Sequence, residues 1–67
     1  MNALISLKDS GHIEIKNLKT IETPDKSITE FEKLNLQAIP YTFVGDTIVA
    51  LCGDEIKYVQ FYDAKNS

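Results

Sequence analysis

The sequence predicts a β-rich α+β domain of order ββαβββ, in which one short helix separates an N-terminal hairpin from a C-terminal three-stranded antiparallel meander. Three observations carry this. Ala3, Ile5 and Leu7 alternate with Leu4, Ser6 and Lys8, and Ile13 and Ile15 alternate with Glu14 and Lys16, the period of half-buried strands. Ser27-Ile28-Thr29-Glu30 has the form of a capping box that opens a helix. Phe43-Val44-Gly45-Asp46-Thr47-Ile48 recurs eight residues later as Leu51-Cys52-Gly53-Asp54-Glu55-Ile56, which places a Gly-Asp pair between successive apolar stretches.

The first hairpin closes over Asp9-Ser10-Gly11, a loop that suits Gly11 in the left-handed conformation. Pairing Lys8 with His12 sets Leu7 against Ile13 and Ile5 against Ile15. Ser6, Glu14 and Lys16 then share the opposite, polar side. Residues 18–23 either extend the second strand past a bulge at Asn17 or begin another short strand. Thr23-Pro24-Asp25-Lys26 reads as a turn, because proline fixes its own φ and disfavours helix in the residue before it.

A helix is expected over residues 27–35. The Ser27 hydroxyl would accept from the Glu30 amide, and Glu30 and Glu32 would sit at the positive end of the dipole. Ile28, Phe31 and Leu34 recur every three residues and would share its buried face. So short a helix must be held by packing.

Residues 41–62 form the expected meander. Two-residue loops at Gly45-Asp46 and Gly53-Asp54 suit type II′ turns, whose first central position needs positive φ. They pair Phe43 with Ile48, Tyr41 with Ala50, Leu51 with Ile56 and Val49 with Tyr58. One face then carries Tyr41, Phe43, Ile48, Ala50, Val59 and Phe61, and the other Val44, Val49, Leu51, Ile56 and Tyr58. Both faces are apolar, whereas a small antiparallel sheet ordinarily keeps one face wet. Closure into a small SH3-like or OB-like β-barrel would resolve this, as would cover from the hairpin and helix on opposite sides. The remaining resolution is a partner protein against one face.

The chain has 67 residues, which makes residues 1–67 a single small domain with a small core. One cysteine permits no intramolecular disulfide, so a reducing, cytoplasmic setting is expected, and no stretch has the length of a signal or membrane segment. Ten acidic residues against seven lysines, with no arginine, give a net charge of -3. Lacking the bidentate side chain that reads phosphate and guanine, the chain is poorly suited to nucleic acid, and its sign repels anionic membranes.

No catalytic or ligand motif emerges, so neither an enzyme nor a cofactor is expected. Cys52 reads as a small hydrophobe and His12 as an exposed residue of the hairpin tip. Asp46, Asp54 and Glu55 follow turn glycines at opposite ends of the meander and do not converge on a cation. The aromatics Tyr41, Phe43, Tyr58, Phe61 and Tyr62 resemble a stacking platform for single strands, but Lys57 is the only base nearby. Size and motif-poor composition resemble those of small accessory proteins of phages and mobile elements.

The leading expectation is a non-catalytic protein-binding module, a small inhibitor or regulator. Its candidate partner-binding residues are Val49, Leu51, Ile56, Tyr58 and Tyr62 on the sheet, with Glu30 and Glu32 on an acidic edge. The alternatives are a nucleic-acid-binding barrel and a self-associating structural protein, a homo-oligomer.

Overall fold

The computed structural model describes residues 1–63 and runs β1 (Asn2–Leu7), β2 (His12–Ile15), β3 (Thr20–Glu22), β4 (Ser27–Ile28), β5 (Pro40–Val44), β6 (Ile48–Cys52) and β7 (Ile56–Tyr62). Single 3-10 turns occupy Phe31–Lys33 and Gly53–Glu55. The strands make two antiparallel sheets, of order β2-β1-β7 and β4-β3-β5-β6. The expected β-rich class is therefore realised, but the strands are distributed differently. β7 does not continue a meander from β6; it pairs antiparallel with β1, so that β1 is the central strand of its sheet.

The chain passes from one sheet to the other at Asn17, whose φ of 55° lies in the left-handed region. Asparagine tolerates that region better than most side chains because its short polar group bonds locally. Here the Asn17 amide donates to Asn2 Oδ1 at 2.9 Å, and Asn17 Nδ2 donates to Asp46 Oδ2 at 2.9 Å. Backbone bonds complete the corner: Leu18 N to Met1 O at 2.7 Å, Lys19 N to Val44 O at 2.8 Å and Asp46 N to Lys16 O at 2.9 Å. Beyond this corner the chain begins a separate strand, the second of the two readings allowed for residues 18–23.

The helix expected over residues 27–35 is not formed. Thr23 Oγ1 accepts from the amides of Asp25 and Lys26 and donates to Lys26 O, which folds Thr23-Pro24-Asp25-Lys26 into a hairpin turn. That turn sets Ser27 opposite Glu22 and Ile28 opposite Ile21 in a β ladder. The Ser27 hydroxyl bonds the Glu22 carboxylate rather than capping a helix. Pairing with β3 thus outcompetes a nine-residue helix that has little stability of its own. Only the turn at Phe31–Lys33 coils, and its cap residue Glu30 makes no side-chain cap bond.

Both expected hairpin registers shift, with opposite consequences. In the first, Ser6 pairs with His12, Ile5 with Ile13 and Ala3 with Ile15, two residues away from expectation. A shift of two keeps every side chain on its face, and Ala3, Ile5 and Ile15 are fully buried as expected. The left-handed residue of that loop is Ser10, at φ 79°, not Gly11. In the second, the loop is Gly45-Asp46-Thr47, so Phe43 pairs with Val49 and Tyr41 with Leu51. A shift of one turns β6 over. Val49 and Leu51 pack against the core while Ile48 is 69% exposed, which removes most of the apolar excess from the second face.

The remaining excess is absorbed by β7, which lays Val59 opposite Ile5 and Phe61 opposite Ala3. The core comprises Ala3, Ile5, Ile15, Leu18, Ile21, Phe31, Tyr41, Phe43 and Ile56. Full burial of a side chain such as Ile5, Ile21 or Phe43 is worth about 1.5–3 kcal/mol.

Neither Gly45 nor Gly53 adopts positive φ, so the type II′ turns are absent. Both glycines serve close approach. A Cβ on Gly45 would lie 2.7 Å from Lys16 O and 2.8 Å from Ile15 Cγ2, because the β5–β6 loop rests on the corner. A Cβ on Gly53 would collide with Gln37 O, since Gly53 N bonds Ile39 O at 2.9 Å and draws the two backbones together.

Two outcomes check this arrangement in urea unfolding. Gly53→Ala lowers stability by about 3 kcal/mol, the upper part of the overpacking range, because backbone must move. Ile48→Lys changes stability by less than about 0.5 kcal/mol, whereas Val49→Lys costs about 2 kcal/mol or more. The reverse order at positions 48 and 49 would mean that β6 is turned the other way.

Candidate functional site

Of the residues expected to meet a partner, the fold withdraws three and presents four. Ile56 is buried, and Val49 and Leu51 are half-buried against the core. Tyr58 and Tyr62 remain 47% and 39% exposed on β7, and Glu30 and Glu32 are exposed around the 3-10 turn. Glu30 is engaged by Lys33 at 2.8 Å, an exposed ion pair of little energetic weight.

Tyr58 and Glu32 are brought together. A groove of about 400 Å³ is lined by Lys57, Tyr58, Val59 and Phe61 of β7 and by Glu32, Leu34 and Leu36. Phe31 and Phe61, which both line it, are stacked with ring centroids 5.3 Å apart and planes at 17°. The strap that forms its outer wall is anchored by Tyr41, whose buried hydroxyl accepts from Gln37 N at 2.9 Å and donates to Asn35 O at 3.2 Å. A buried phenol needs such partners, and here they hold residues 35–37 across the end of β6. The groove thus depends on the strap, a segment the helical reading had assigned elsewhere.

The outward face of the β2-β1-β7 sheet lies beside the groove. Register places His12, Ser6 and Tyr58 in one row across it and Glu14, Leu4 and Gln60 in the next. The Tyr62 hydroxyl donates to the Glu14 carboxylate and ties β7 to β2 across β1. Ser6, at 4% exposure, has a hydroxyl with no hydrogen-bond partner among the described residues. Leu4 and Ser6 sit between two flanking strands, which explains why a strand read as one-sided is covered on both sides.

A second cleft, of about 510 Å³, opens between the Thr23-Pro24-Asp25-Lys26 turn and the strap. Lys26, Glu30 and Lys33 on its walls give it mixed charge, and its chemistry is that of a solvated surface. Cys52 is a half-buried free thiol paired across the ladder with Pro40. His12 is the exposed first residue of β2 rather than a tip residue. Among the described residues no three of His, Cys, Asp and Glu converge as metal ligands, and no helix is long and apolar enough to cross a membrane. Comparison of the chain with known protein families, with curated proteins and with solved structures gave no match.

The signal that sequence reading missed was Phe31, whose spacing from Ile28 and Leu34 fits a helix equally well. Its partner Phe61 lies thirty residues away in sequence, and no local pattern joins them.

Ser6→Ala leaves stability unchanged or raises it by up to about 1 kcal/mol, because the buried hydroxyl gives up water without gaining a bond. A loss of more than about 1 kcal/mol in thermal unfolding would mean that the hydroxyl is satisfied.

Proposed function

We propose that this chain is a non-catalytic protein-binding module, a small inhibitor or regulator that docks its partner along β7. One observation carries the reading: β7 is a seven-residue strand at the edge of its sheet, and four of its residues line a groove that holds the stacked rings of Phe31 and Phe61. A sheet edge offers unpaired amides and carbonyls to an extended segment, and adjoining apolar recesses receive alternate side chains of that segment. Tyr58 supplies a large, partly exposed ring with a polar tip, the residue type favoured where contacts are partly wet. Glu32 and Lys57 in its lining give the groove both signs of charge to orient an incoming segment. The acidic edge contributes Glu32 to this site, while Glu30 is spent on Lys33.

Proline tolerates an edge strand where its nitrogen faces away from the ladder. Val59→Pro therefore blocks an added strand, and Tyr58→Ala removes the exposed ring. In a pull-down from source-cell lysate with and without nuclease, the expected result is a protein retained by wild type and by Ile48→Lys in both halves, and lost by Val59→Pro and Tyr58→Ala. Circular dichroism verifies that each variant is folded. Retention by folded Val59→Pro would place the contact elsewhere, and recovery that vanishes with nuclease would favour the nucleic-acid-binding barrel.

A further inference from the structure

We infer that the occupant of the β7 edge is an extended peptide segment of another protein, of pattern Φ-x-Φ-acidic with Φ a β-branched aliphatic residue, added antiparallel to β7. The inference rests on the reading of β7 as a docking edge and gives the chemistry of the segment it takes.

The backbone groups of β7 alternate in direction. Leu7 N donates to Gly11 O at 2.8 Å and Leu7 O accepts from Ser10 N at 3.1 Å, so the polar groups of Leu7 face the β2 side of β1. Alternation then turns those of Leu4 and Ser6 toward β7. The bond from Lys8 N to Glu55 O, at 3.0 Å, agrees with that alternation. Ser6 is opposite Tyr58 and Leu4 opposite Gln60, so Tyr58 and Gln60 direct their amides and carbonyls to β1. Val59 and Phe61 direct theirs to the open side, where among the described residues they meet no backbone partner.

The same two residues line the groove with their side chains. Val59 and Phe61 are half-buried beside Phe31, Leu34 and Leu36, whereas Tyr58, Gln60 and Tyr62 are exposed. In an antiparallel ladder, residues directly opposite each other share a face, and a hydrogen-bonded pair exchanges both of its backbone bonds. The two residues of an added strand that bond Val59 and Phe61 therefore send their own side chains to the groove. The residue between them lies opposite Gln60 and faces outward. Alternate positions of the segment are thus read twice, by backbone and by apolar lining, which fixes Φ-x-Φ. A parallel strand would separate the two readings, because its bonds are slanted and the residue opposite Val59 is not the one that bonds it. β-Branched side chains at Φ favour the extended form that the edge requires.

Charge sets the next position. The register passes from Ser6 opposite Tyr58 to Leu7 opposite Ile56, so Lys57 is a bulge residue, exposed on the face of Tyr58. The residue that follows the second Φ falls opposite Tyr58 on that face, next to Lys57. Among the described residues the one ion pair joins Lys33 to Glu30, so the Lys57 ammonium has no acidic partner there, and a carboxylate at this position supplies it. Glu32 in the groove lining disfavours an acid at Φ itself. Of the edge strands β7 is the longest, and it has no proline to block pairing.

The probe is the peptide acetyl-Thr-Val-Thr-Val-Glu-Thr-amide, titrated into isotope-labelled protein and followed by NMR. In the free protein the amides of Val59 and Phe61 are expected to exchange rapidly with solvent, and those of Tyr58 and Gln60 slowly. The peptide binds at about 0.1–1 mM, as suits so short a contact, shifts the Val59 and Phe61 amides and slows their exchange. N-methylation of either valine, whose amide bonds β7, weakens binding at least about tenfold. N-methylation of the threonine between them, whose amide faces away, changes it less than about twofold. Lys57→Glu weakens binding about threefold, and lysine in place of the peptide's glutamate restores it. Slow exchange of Val59 and Phe61 in the free protein overturns the inference, as does equal sensitivity to methylation at valine and at threonine. So do shifts at these two amides that grow with protein concentration alone, which would seat a second copy on the edge. If Val59→Pro loses a lysate partner while the peptide leaves Val59 and Phe61 unshifted, the docking edge stands and this segment chemistry falls; if Val59→Pro loses nothing either, both fall.

Discussion

The structure depends on the corner at Asn17. A chain with β2 in one sheet and β3 in the other must bend sharply within four residues, and the left-handed backbone of Asn17 makes that bend. The position is strained for most side chains, and it persists because two separate regions of the chain bond the corner. β1 contributes Met1 O and Asn2 Oδ1, and the β5–β6 region contributes Val44 O and the Asp46 amide and carboxylate. The β5–β6 loop can come this close only because Gly45 has no side chain to meet Lys16 O. Asn2 is buried for the same reason: its side chain is part of the corner rather than of a strand surface.

With the sheets joined there, the partition of the last two strands follows. β6 leaves the second sheet through the turn at Gly53–Glu55, which is held by Ile39 O from one side and by a Lys8–Glu55 backbone bond from the other. That second bond delivers β7 to β1. The central position of β1 then explains burial on both of its faces and leaves β7 as the open edge on which the functional reading is built. The strap of residues 35–37, fastened by Tyr41, supplies the far wall. Open edge, groove and corner are consequences of one chain path.

Much of the fold was legible in the residues. Strand identity for β1, β2, β5, β6 and β7 followed from alternation and apolar runs, and the turn at Thr23-Pro24-Asp25-Lys26 followed from proline and threonine chemistry. The capping-box pattern at Ser27 was a true local signal that lost to tertiary pairing: Glu22 was available to Ser27 across the hairpin, and a ladder with β3 packs the half-buried Ile28 against the core. The two Gly-Asp repeats were also real, but glycine answers to close backbone approach as readily as to positive φ. Which of the two applied depended on Lys16 and Gln37, residues remote in sequence. Of the candidate partner-binding residues, Tyr58, Tyr62 and Glu32 are exposed, and each was legible as a ring or charge beside apolar neighbours. Val49, Leu51 and Ile56 were misplaced by the register of β6 and the destination of β7.

The two hairpins show most clearly where local information ends. A register error of two residues in the first cost nothing, because side chains alternate with a period of two and the apolar set stayed on one face. An error of one in the second inverted the whole of β6. By itself, the sequence determined a β-rich chain, five of its seven strands and a core face on Ile5 and Ile15, since composition and alternation act locally. Only the tertiary structure decided the register of β6, the pairing of β7 with β1 and the loss of the helix. Each of those was settled by contacts between residues far apart along the chain, whose energy no local pattern contains.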